Sequence, residues 1–280
     1  MTCLNSSKKC LSNNLTIVIW TKKSSQVFNI DDIRQEVLDN KRPRYLYKYR
    51  SIDRATEFLE SSSIYFSNYK EFNDPFESAC KKKYNFTPKQ YFETFQKWGV
   101  NFFDSAIKAE EIRLGLVNPE DLLKKSTDMI FNRFSYFSMA EEPDNILMWS
   151  HYADSHKGVC FKLDLLQDFD TFLITVPVDY NSDYPEFDTL NENPSRIIIR
   201  KSPYWSYEKE HRTIKVNSPG LHKINKEALV EIIFGCRTST EDKNEIRRLV
   251  EQNEFNDVQF SETKVNPNAY KLDIIPCDFS

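Results

Sequence analysis

Three short segments hold most of the side chains in this chain that could do chemistry. They are FNDPFE at 72–77, WSHYADSHKG at 149–158 and WSYEKEHR at 205–212. Each segment combines carboxylates or histidines with aromatic side chains that can anchor it to a core. Because binding residues are concentrated on loops that a rigid scaffold positions, we expect the three segments to build one working surface.

The segment at 205–212 indicates paired-carboxylate chemistry. If the chain is extended there, Glu208 and Glu210 point to one face and Arg212 is the next residue on it. Two close carboxylates raise each other's proton affinity, and a neighbouring arginine offsets that effect. Such a pair suits a ribose diol or a cation-like transition state. The alternative is a charged edge strand that faces water.

The segment at 72–77 predicts a tight turn that carries two carboxylates. Asn73 and Asp74 precede a proline, which disfavours helical backbone, and an Asx side chain can close the turn on its own backbone. Asn73, Asp74 and Glu77 are candidate polar site residues because flanking phenylalanines can hold this turn still. A purely structural turn is the alternative.

The segment at 149–158 predicts a helix with aromatic side chains on one face. Trp149 and Tyr152 are three residues apart and could stack a ligand, while His151 lies on a neighbouring face and is a candidate catalytic residue. His151 and His156 are five residues apart, not the three or four that place two metal ligands on one helical face. The alternative is an aromatic helix packed on a sheet, with Gly158 needed for a tight exit.

The composition argues against several common kinds of site. The chain has 5 Gly in 280 residues and neither GxGxxG nor GxxxxGK[ST], which argues against a Rossmann or P-loop nucleotide site. Its 6 Cys lie far apart, with no CxxC pair and no Cys/His spacing for a metal. We therefore predict no metal site.

Charge and hydropathy bear on the partners and the location of the protein. The formal net charge of −4 comes from 38 basic and 42 acidic side chains that are interspersed, and the longest basic run is Lys81–Lys83. Nucleic acid as a partner is not favoured, since it needs a clustered basic face, although a local basic groove would allow it. The polar start and the lack of a long apolar run predict a cytoplasmic protein without membrane association.

The pattern of elements predicts an α+β fold. A mixed, mainly antiparallel sheet forms the core, and a helical insertion lies at about 87–133, where Thr87 and Asn118 each cap a helix that begins with proline. Asp53, Asp144 and Ser239 are the predicted caps of three more helices. Residues 1–40 read as an N-terminal extension and 41–280 as a single domain. The predicted strands lie at 16–20, 46–50, 64–68, 134–139, 158–163, 172–180, 196–200, 213–216, 228–235, 258–265 and 270–275.

The chain resembles a widespread bacterial family of unknown function. The resemblance rests on the order YKYR, a strand ending in YFSN, FNDPFE, NILMWSHYADSHKGVCFKLD, WxxExEHR and EIIFGCR, over about residues 45–275. Because that family often occurs near phage-defence genes, the resemblance implies a role in phage defence or a toxin-like role. It also implies a macromolecular target or phage component as partner.

A second resemblance, to ADP-ribosyltransferases, concerns mechanism. It rests on a basic residue on a first strand, an aromatic/Ser strand and a late ExE. It implies NAD as cofactor, with Arg50 or Lys48 as the basic residue and Ser67 or Tyr65 on the later strand. It also implies Glu210 as the catalytic glutamate, Glu208 as its partner and aromatic side chains that stack the nicotinamide and adenine.

Three functions are therefore expected to compete. The first is an ADP-ribosyltransferase-like or NAD-consuming enzyme, in which Glu210→Gln would abolish turnover without unfolding the protein. The second is a non-enzymatic recognition module with an exposed aromatic patch. The third is a Mg²⁺-dependent nuclease or hydrolase, which requires the carboxylates of 72–77 and 205–212 to converge.

Overall fold

The computed structural model describes residues 16–20, 25–188, 190 and 195–279. Of the predicted N-terminal extension, residues 1–15 and 21–24 lie outside the described residues. The strands are β1 (Thr16–Trp20), β2 (Ser25–Asn29), β3 (Tyr45–Arg50), β4 (Ser63–Asn68), β5 (Lys81–Lys83), β6 (Phe134–Ala140), β7 (Val159–Asp164), β8 (Thr175–Pro177), β9 (Asp179–Tyr180), β10 (Glu186–Asp188), β11 (Arg200–Lys201), β12 (Glu210–Val216), β13 (Gly220–Lys223), β14 (Leu229–Phe234), β15 (Gln259–Val265) and β16 (Leu272–Pro276).

Helices occur on both sides of the β6 strand along the chain. The α-helices are α1 (Ile30–Leu38), α2 (Ile52–Ser61), α3 (Pro88–Lys97), α4 (Phe102–Arg113), α5 (Pro119–Asn132), α6 (Ile146–Tyr152), α7 (Phe169–Phe172), α8 (Ser195–Ile198) and α9 (Thr240–Gln252). Short 3₁₀ helices lie at Tyr69–Glu71, Pro203–Glu208 and Lys226–Ala228. None of the described helices is long and apolar enough to cross a membrane.

In the described part of the chain, ten strands form one mixed, mainly antiparallel sheet. Its path is β13-β4-β6-β3-β7-β14-β15-β16, while β12 pairs with β6 and β8. The β14–β15 pair is parallel, and the helix α9 crosses between these two strands. The predicted α+β fold with a mainly antiparallel mixed sheet is confirmed.

The predicted helical insertion is also confirmed. Thr87 and Asn118 accept hydrogen bonds from the backbone at the starts of α3 and α5, and each is followed by proline at the first helical position. Gly99, with φ of +82°, follows the last turn of α3. The insertion has a small core of its own around Tyr91, Phe95 and Ala109.

Two predicted caps are wrong by one or two residues. Ser51, not Asp53, caps α2, because its hydroxyl accepts from the Arg54 N–H and Asp53 lies inside the first turn. Asn145, not Asp144, caps α6, since its side-chain oxygen accepts from the N–H groups of the next turn. Ser239 caps α9 as predicted.

Two predicted strands are wrong. The range 196–200 is mostly the helix α8, and Ile197 and Ile198 in this helix and Ile199 directly after it are all buried. A strand would turn alternate side chains to opposite faces, so tertiary burial overrides the β-preference of three isoleucines. The range 172–180 is split into the end of α7 and the separate strands β8 and β9, which pair with different partners.

One edge of β6 pairs with two different strands, β4 and β3, with an interruption between them. The other edge of β6 pairs with β12 along its whole length. On the divided edge, β4 pairs with Ser135 and Tyr136, and β3 pairs with Ala140 through Tyr47. Between these two contacts, residues 137–139 have no strand partner on that edge within the described residues. We call this interruption the β6 gap.

Glycine allows close approaches beside the gap. A Cβ atom on Gly158 would overlap the carbonyl oxygen of Arg50, and one on Gly235 would overlap that of His156. Gly158 was predicted to give α6 a tight exit, and the structure adds the reason, which is contact with the backbone of β3. The loop before it contains three consecutive residues with positive φ, Asp154, Ser155 and His156.

We expect Gly158→Ala to lower the free energy of unfolding by about 3 kcal/mol, because its Cβ must displace backbone that has no room to move. Gly115→Ala is the matched control: Gly115 has a φ of +69° but nothing within 4 Å of a Cβ, so its cost should be roughly 1 kcal/mol. Urea denaturation of both variants measures the difference. Equal costs would contradict the close approach.

Candidate functional site

A cleft of about 360 Å³ opens at the β6 gap. One wall is formed by β3 and the end of β4, and the floor by residues of β6. The opposite wall combines the 72–77 turn, α6 and the chain from Lys201 to Arg212. All three segments that the sequence singled out therefore contribute to one cleft.

Buried ion pairs centred on Arg212 organise the carboxylate wall. Arg212 is 1% exposed, and its Nε donates to Oε1 of Glu210 at 2.8 Å. Its Nη2 donates to Glu77 and to Oε2 of Glu210, and its Nη1 donates to the carbonyl of Ile198. A buried guanidinium requires this number of acceptors, because an unpaired buried charge is very costly. Arg212 thus joins the 72–77 turn to β12 and to the end of α8.

Lys201 is the second cation of this wall. Its Nζ lies 2.6 Å from Glu208, 2.9 Å from Glu210 and 3.8 Å from Glu77. The hydroxyl of Tyr152 on α6 donates to the other oxygen of Glu208 at 2.6 Å. We call Glu77, Lys201, Glu208, Glu210 and Arg212 the ion cluster.

Glu210 and Glu77, the two carboxylates bound by Arg212, differ in proton affinity. Burial would raise the pKa of Glu210, but Arg212 and Lys201 outweigh it and hold the pKa below its ordinary value of 4.5. At Glu77 burial outweighs the same two cations, and the pKa lies above 4.5. Glu77 therefore takes up a proton more readily than Glu210 does.

The wall formed by β3 and the end of β4 carries two basic side chains outside the ion cluster. Lys48 and Arg50 alternate on β3, and both lie over the ring of Phe137, at 4.9 and 6.0 Å from its centroid. The Lys48 ammonium donates to the carbonyl of Ser138, on the unpaired edge of β6. Within the ranges that the structure describes, the Arg50 guanidinium forms no ion pair. Burial lowers the pKa of Arg50 to about 10, with Arg54 adding to the effect.

A second cavity of about 790 Å³ adjoins the cleft. Lys48, Arg50, Ser67 and Glu71 line both spaces. The second cavity extends along α2 and β4 to the exposed ring of Tyr65, whose hydroxyl donates to Glu71 at 3.3 Å. Lys48 and Arg50 of β3 therefore lie at the boundary between the cleft and the second cavity.

The structure brings most of the predicted site residues together. The residues that line the cleft are Lys48, Arg50, Ser67, Asn73, Glu77, Tyr152, Glu208, Glu210 and Arg212.

Four predicted site residues lie elsewhere. Trp149 is fully buried, donates to the carbonyl of Pro143 and packs edge-on against Tyr49. His151 is exposed, with Nδ1 3.0 Å from the Tyr207 hydroxyl. Asp74 is buried and closes its turn by accepting from the Phe76 N–H. Tyr65 lines the second cavity instead of the cleft.

The local geometry assumed for 205–212 is wrong, although its carboxylates do converge. Pro203–Glu208 is a 3₁₀ helix, and Lys209 has a left-handed φ of 42°, so the chain becomes extended only at Glu210. Glu208 and Glu210 meet through Lys201, not through strand alternation. The alternative of an edge strand facing water is also wrong, because β12 lies between β6 and β8 and its first residues are buried.

Sequence reasoning missed Lys201 and Tyr180. Lys201 follows three isoleucines that pointed to a strand, and nothing nearby in sequence signals its partners. Tyr180 accepts a hydrogen bond from the Glu210 N–H at 2.8 Å and so supports the start of β12. No local signal identified Lys201, because Arg200 separates it from the isoleucines and its acidic partners lie on other elements.

The ion cluster makes Glu210 a structural requirement. We expect Glu210→Gln to lower the free energy of unfolding by about 3 kcal/mol or more, because it removes the main counter-charge of two buried cations. Glu77→Gln is the matched change and should cost less than about 1 kcal/mol, since burial opposes the charged form of Glu77 and raises its pKa. Urea denaturation at pH 7 compares them. A larger loss for Glu77→Gln would contradict this assignment.

The two carboxylates should also respond to pH with opposite signs. The depressed pKa of Glu210 gives stability that is complete above pH 4.5 and is lost as the pH falls through its folded-state pKa. The raised pKa of Glu77 gives stability that is complete below pH 4.5 and is lost as the pH rises through its folded-state pKa. Between pH 7 and 4.5, wild type should gain stability relative to Glu77→Gln but not relative to Glu210→Gln. Denaturation curves of the three proteins over this range measure both differences.

Comparison with known proteins gives one match. The model of a family described as "Protein of unknown function (DUF2971)" matches residues 148–213, about a quarter of the chain. None of the curated proteins and none of the solved structures compared with the chain matches it. The matched range runs from α6 to β12 and contains Tyr152, Lys201, Glu208, Glu210 and Arg212. It supports the resemblance of this part of the chain to an uncharacterised family.

Proposed function

We propose that the cleft binds NAD and that the protein acts on its N-ribosyl bond, as an ADP-ribosyltransferase-like or NAD-consuming enzyme. One observation carries this proposal: Arg50, a cation without an ion-pair partner among the described residues, lines the same cleft as three converging glutamates. A ligand with both a phosphate and a ribose would engage both walls.

Arg50 is the proposed phosphate contact. A guanidinium presents donors in a planar fork that matches phosphate oxygens, and it stays charged even when burial lowers its pKa. The Ser67 hydroxyl, on β4, lines the same cleft and can add a further hydrogen bond. Lys201 and Arg212 are already engaged by carboxylates, and Lys48 donates to the carbonyl of Ser138.

The ion cluster is the proposed ribose contact. Breaking an N-ribosyl bond develops positive charge at C1′, and a fixed carboxylate stabilises that charge. The cluster has one more carboxylate than it has cations. This excess charge and its burial favour a cationic transition state beside Glu77 and Glu210, because a low-dielectric site strengthens the attraction.

Aromatic rings complete the proposed ligand site. Tyr47, Phe72 and Tyr152 line the cleft, and Tyr65 lines the adjoining cavity. Flat rings of this kind can stack a nicotinamide or an adenine. Tyr152 is also held in place by its hydrogen bond to Glu208, so it would offer its ring in a fixed orientation.

The setting that we propose is phage defence or a toxin-like role, with an unidentified macromolecular target or phage component as partner. This part of the proposal rests on the resemblance of the chain to a family found near phage-defence genes. The bacterial setting adds no further constraint on the chemistry of the cleft.

A non-enzymatic recognition module is the second candidate, and the outer face of α4 favours it. Phe103 and Ile107 are 77% and 56% exposed on one side of that helix, and Leu114, which follows the last helical residue, is 55% exposed. Apolar rows of this kind are common at protein interfaces. A Mg²⁺-dependent hydrolase has less support, because Lys201 and Arg212 already supply the positive charge that the three glutamates require.

NAD should raise the melting temperature of the protein, and Arg50→Gln should weaken NAD binding by roughly 10- to 100-fold through loss of charge-assisted hydrogen bonds to phosphate. Arg133→Gln is the matched control, because Arg133 is exposed and lines neither cavity. Calorimetric titration with NAD measures both variants. If wild-type protein neither binds nor consumes NAD, the proposal fails.

Glu77→Gln should lower NAD turnover by roughly 100-fold or more while changing NAD affinity little, because it removes charge that the transition state needs. This variant replaces Glu210→Gln as the test, since Glu210 is needed to hold the ion cluster together. Release of nicotinamide, measured at saturating NAD, gives the turnover. Unchanged turnover in folded Glu77→Gln would exclude Glu77 from the reaction, and binding of NAD without turnover by wild type would favour a recognition module.

A further inference from the structure

Lys48 occupies the β6 gap. Its ammonium nitrogen bonds to the carbonyl of Ser138, which would otherwise lack a strand partner on that edge, and it lies 4.9 Å from the centroid of the Phe137 ring. The side chain is half-buried and lines both the cleft and the second cavity. A ligand could therefore approach it from either space.

The charged groups around Lys48 do not provide it with a committed counter-charge. Arg50 lies two residues further along the same strand and Lys201 lies across the cleft, and both disfavour a second positive charge. Glu208 and Glu210 favour that charge, but Lys201 binds both of them and Arg212 also binds Glu210. Within the ranges given above for the structure, Lys48 forms no ion pair with a carboxylate.

Burial and the Arg50 charge lower the pKa of Lys48 well below its ordinary value of 10.5. Arginine cannot lose its proton under ordinary conditions, so of these two neighbours the lysine is the one that more readily gives up its proton. A neutral amine is a nucleophile, and desolvation next to another cationic group is a known way to activate a lysine.

We propose that Lys48 is a nucleophilic amine that forms an imine with the carbonyl group of a phosphorylated ligand, whose phosphate binds Arg50. The Nζ atom attacks the carbonyl carbon to give a carbinolamine. The carbonyl oxygen then leaves as water with the two amine protons, and a carbon–nitrogen double bond remains. Hydrolysis reverses the step and needs no other reactant.

This inference goes beyond the proposed action on NAD, and it does not require NAD as a ligand. It rests on the position of Lys48 between two cavities and on Arg50 beside it, which has no ion-pair partner among the described residues. The ligand class is an aldehyde or ketone that also carries a phosphate. The carbonyl and the phosphate of the ligand would be separated by a distance that the side chains of Lys48 and Arg50, residues i and i+2 of one strand, can span.

The test uses pyridoxal 5′-phosphate as the probe, followed by borohydride, which reduces an imine to a stable secondary amine. Wild-type protein is treated at pH 7 with a limiting amount of probe, and modified lysines are located by peptide mass spectrometry. We expect Lys48 to be labelled at least about tenfold faster than the exposed Lys81–Lys83. Inorganic phosphate should slow labelling of Lys48 but not of those three lysines.

Two comparisons separate the parts of the proposal. Arg50→Gln should reduce the labelling of Lys48 roughly tenfold, and pyridoxal without its phosphate should also label Lys48 about tenfold more slowly than the phosphorylated probe. Lys48→Arg should lose the fast labelling, with folding checked by circular dichroism. If that variant does not fold, the labelled positions in wild type still decide the question.

Labelling that simply follows the exposure of each lysine would overturn the proposal. Fast labelling of Lys48 that is insensitive both to phosphate and to Arg50→Gln would overturn the assignment of Arg50 as the anion contact. Because no NAD is present in this experiment, its failure leaves the proposed action on NAD to be judged by the titrations above.

Discussion

The need to neutralise one buried guanidinium constrains much of this structure. Arg212 lies within the sheet at 1% exposure, and removing its charge from water costs several kcal/mol unless acceptors surround it. Its acceptors come from three distant parts of the chain: the 72–77 turn, the end of α8 and β12 itself. The same contacts that satisfy Arg212 therefore determine where one wall of the cleft stands.

This constraint divides the charged residues of the cleft into two groups. Lys201 and Arg212 are committed to glutamates and mainly hold the wall together, whereas Lys48 and Arg50 are not committed to any described carboxylate. Charges in the first group are fixed by folding. Charges in the second group are available to a ligand. A site that combines ion pairs fixed by folding with basic groups that no described carboxylate binds can be rigid and still accept an anionic ligand.

Local signals in the sequence predicted much of the fold but fewer of the contacts in the site. Thr87, Asn118 and Ser239 were predictable caps because capping depends on a few adjacent residues. The convergence of 72–77 with 205–212 was predictable only as a hypothesis, from residue types. Lys201 was not predictable, since its partners lie on other elements, and the isoleucines before it have a β-preference that burial in α8 overrides. The β6 gap depends on which strands pair, which alternation does not reveal.

The β6 gap also determines how the width of the cleft is controlled. The gap separates two parts of the sheet, which we call leaves: one contains β4, β6 and β12, and the other contains β3, β7 and β14. At the gap, the backbone pair Tyr47–Ala140 joins the two leaves. Lys48 of β3 also donates to the carbonyl of Ser138 in β6, and apolar side chains of both leaves, such as Phe66, Phe137 and Phe161, share one core. A hydrogen-bonded ladder permits only discrete registers, whereas apolar contact has no preferred direction. The width of the cleft at the gap is therefore set by one backbone pair, the Lys48–Ser138 hydrogen bond and apolar packing, instead of a continuous ladder.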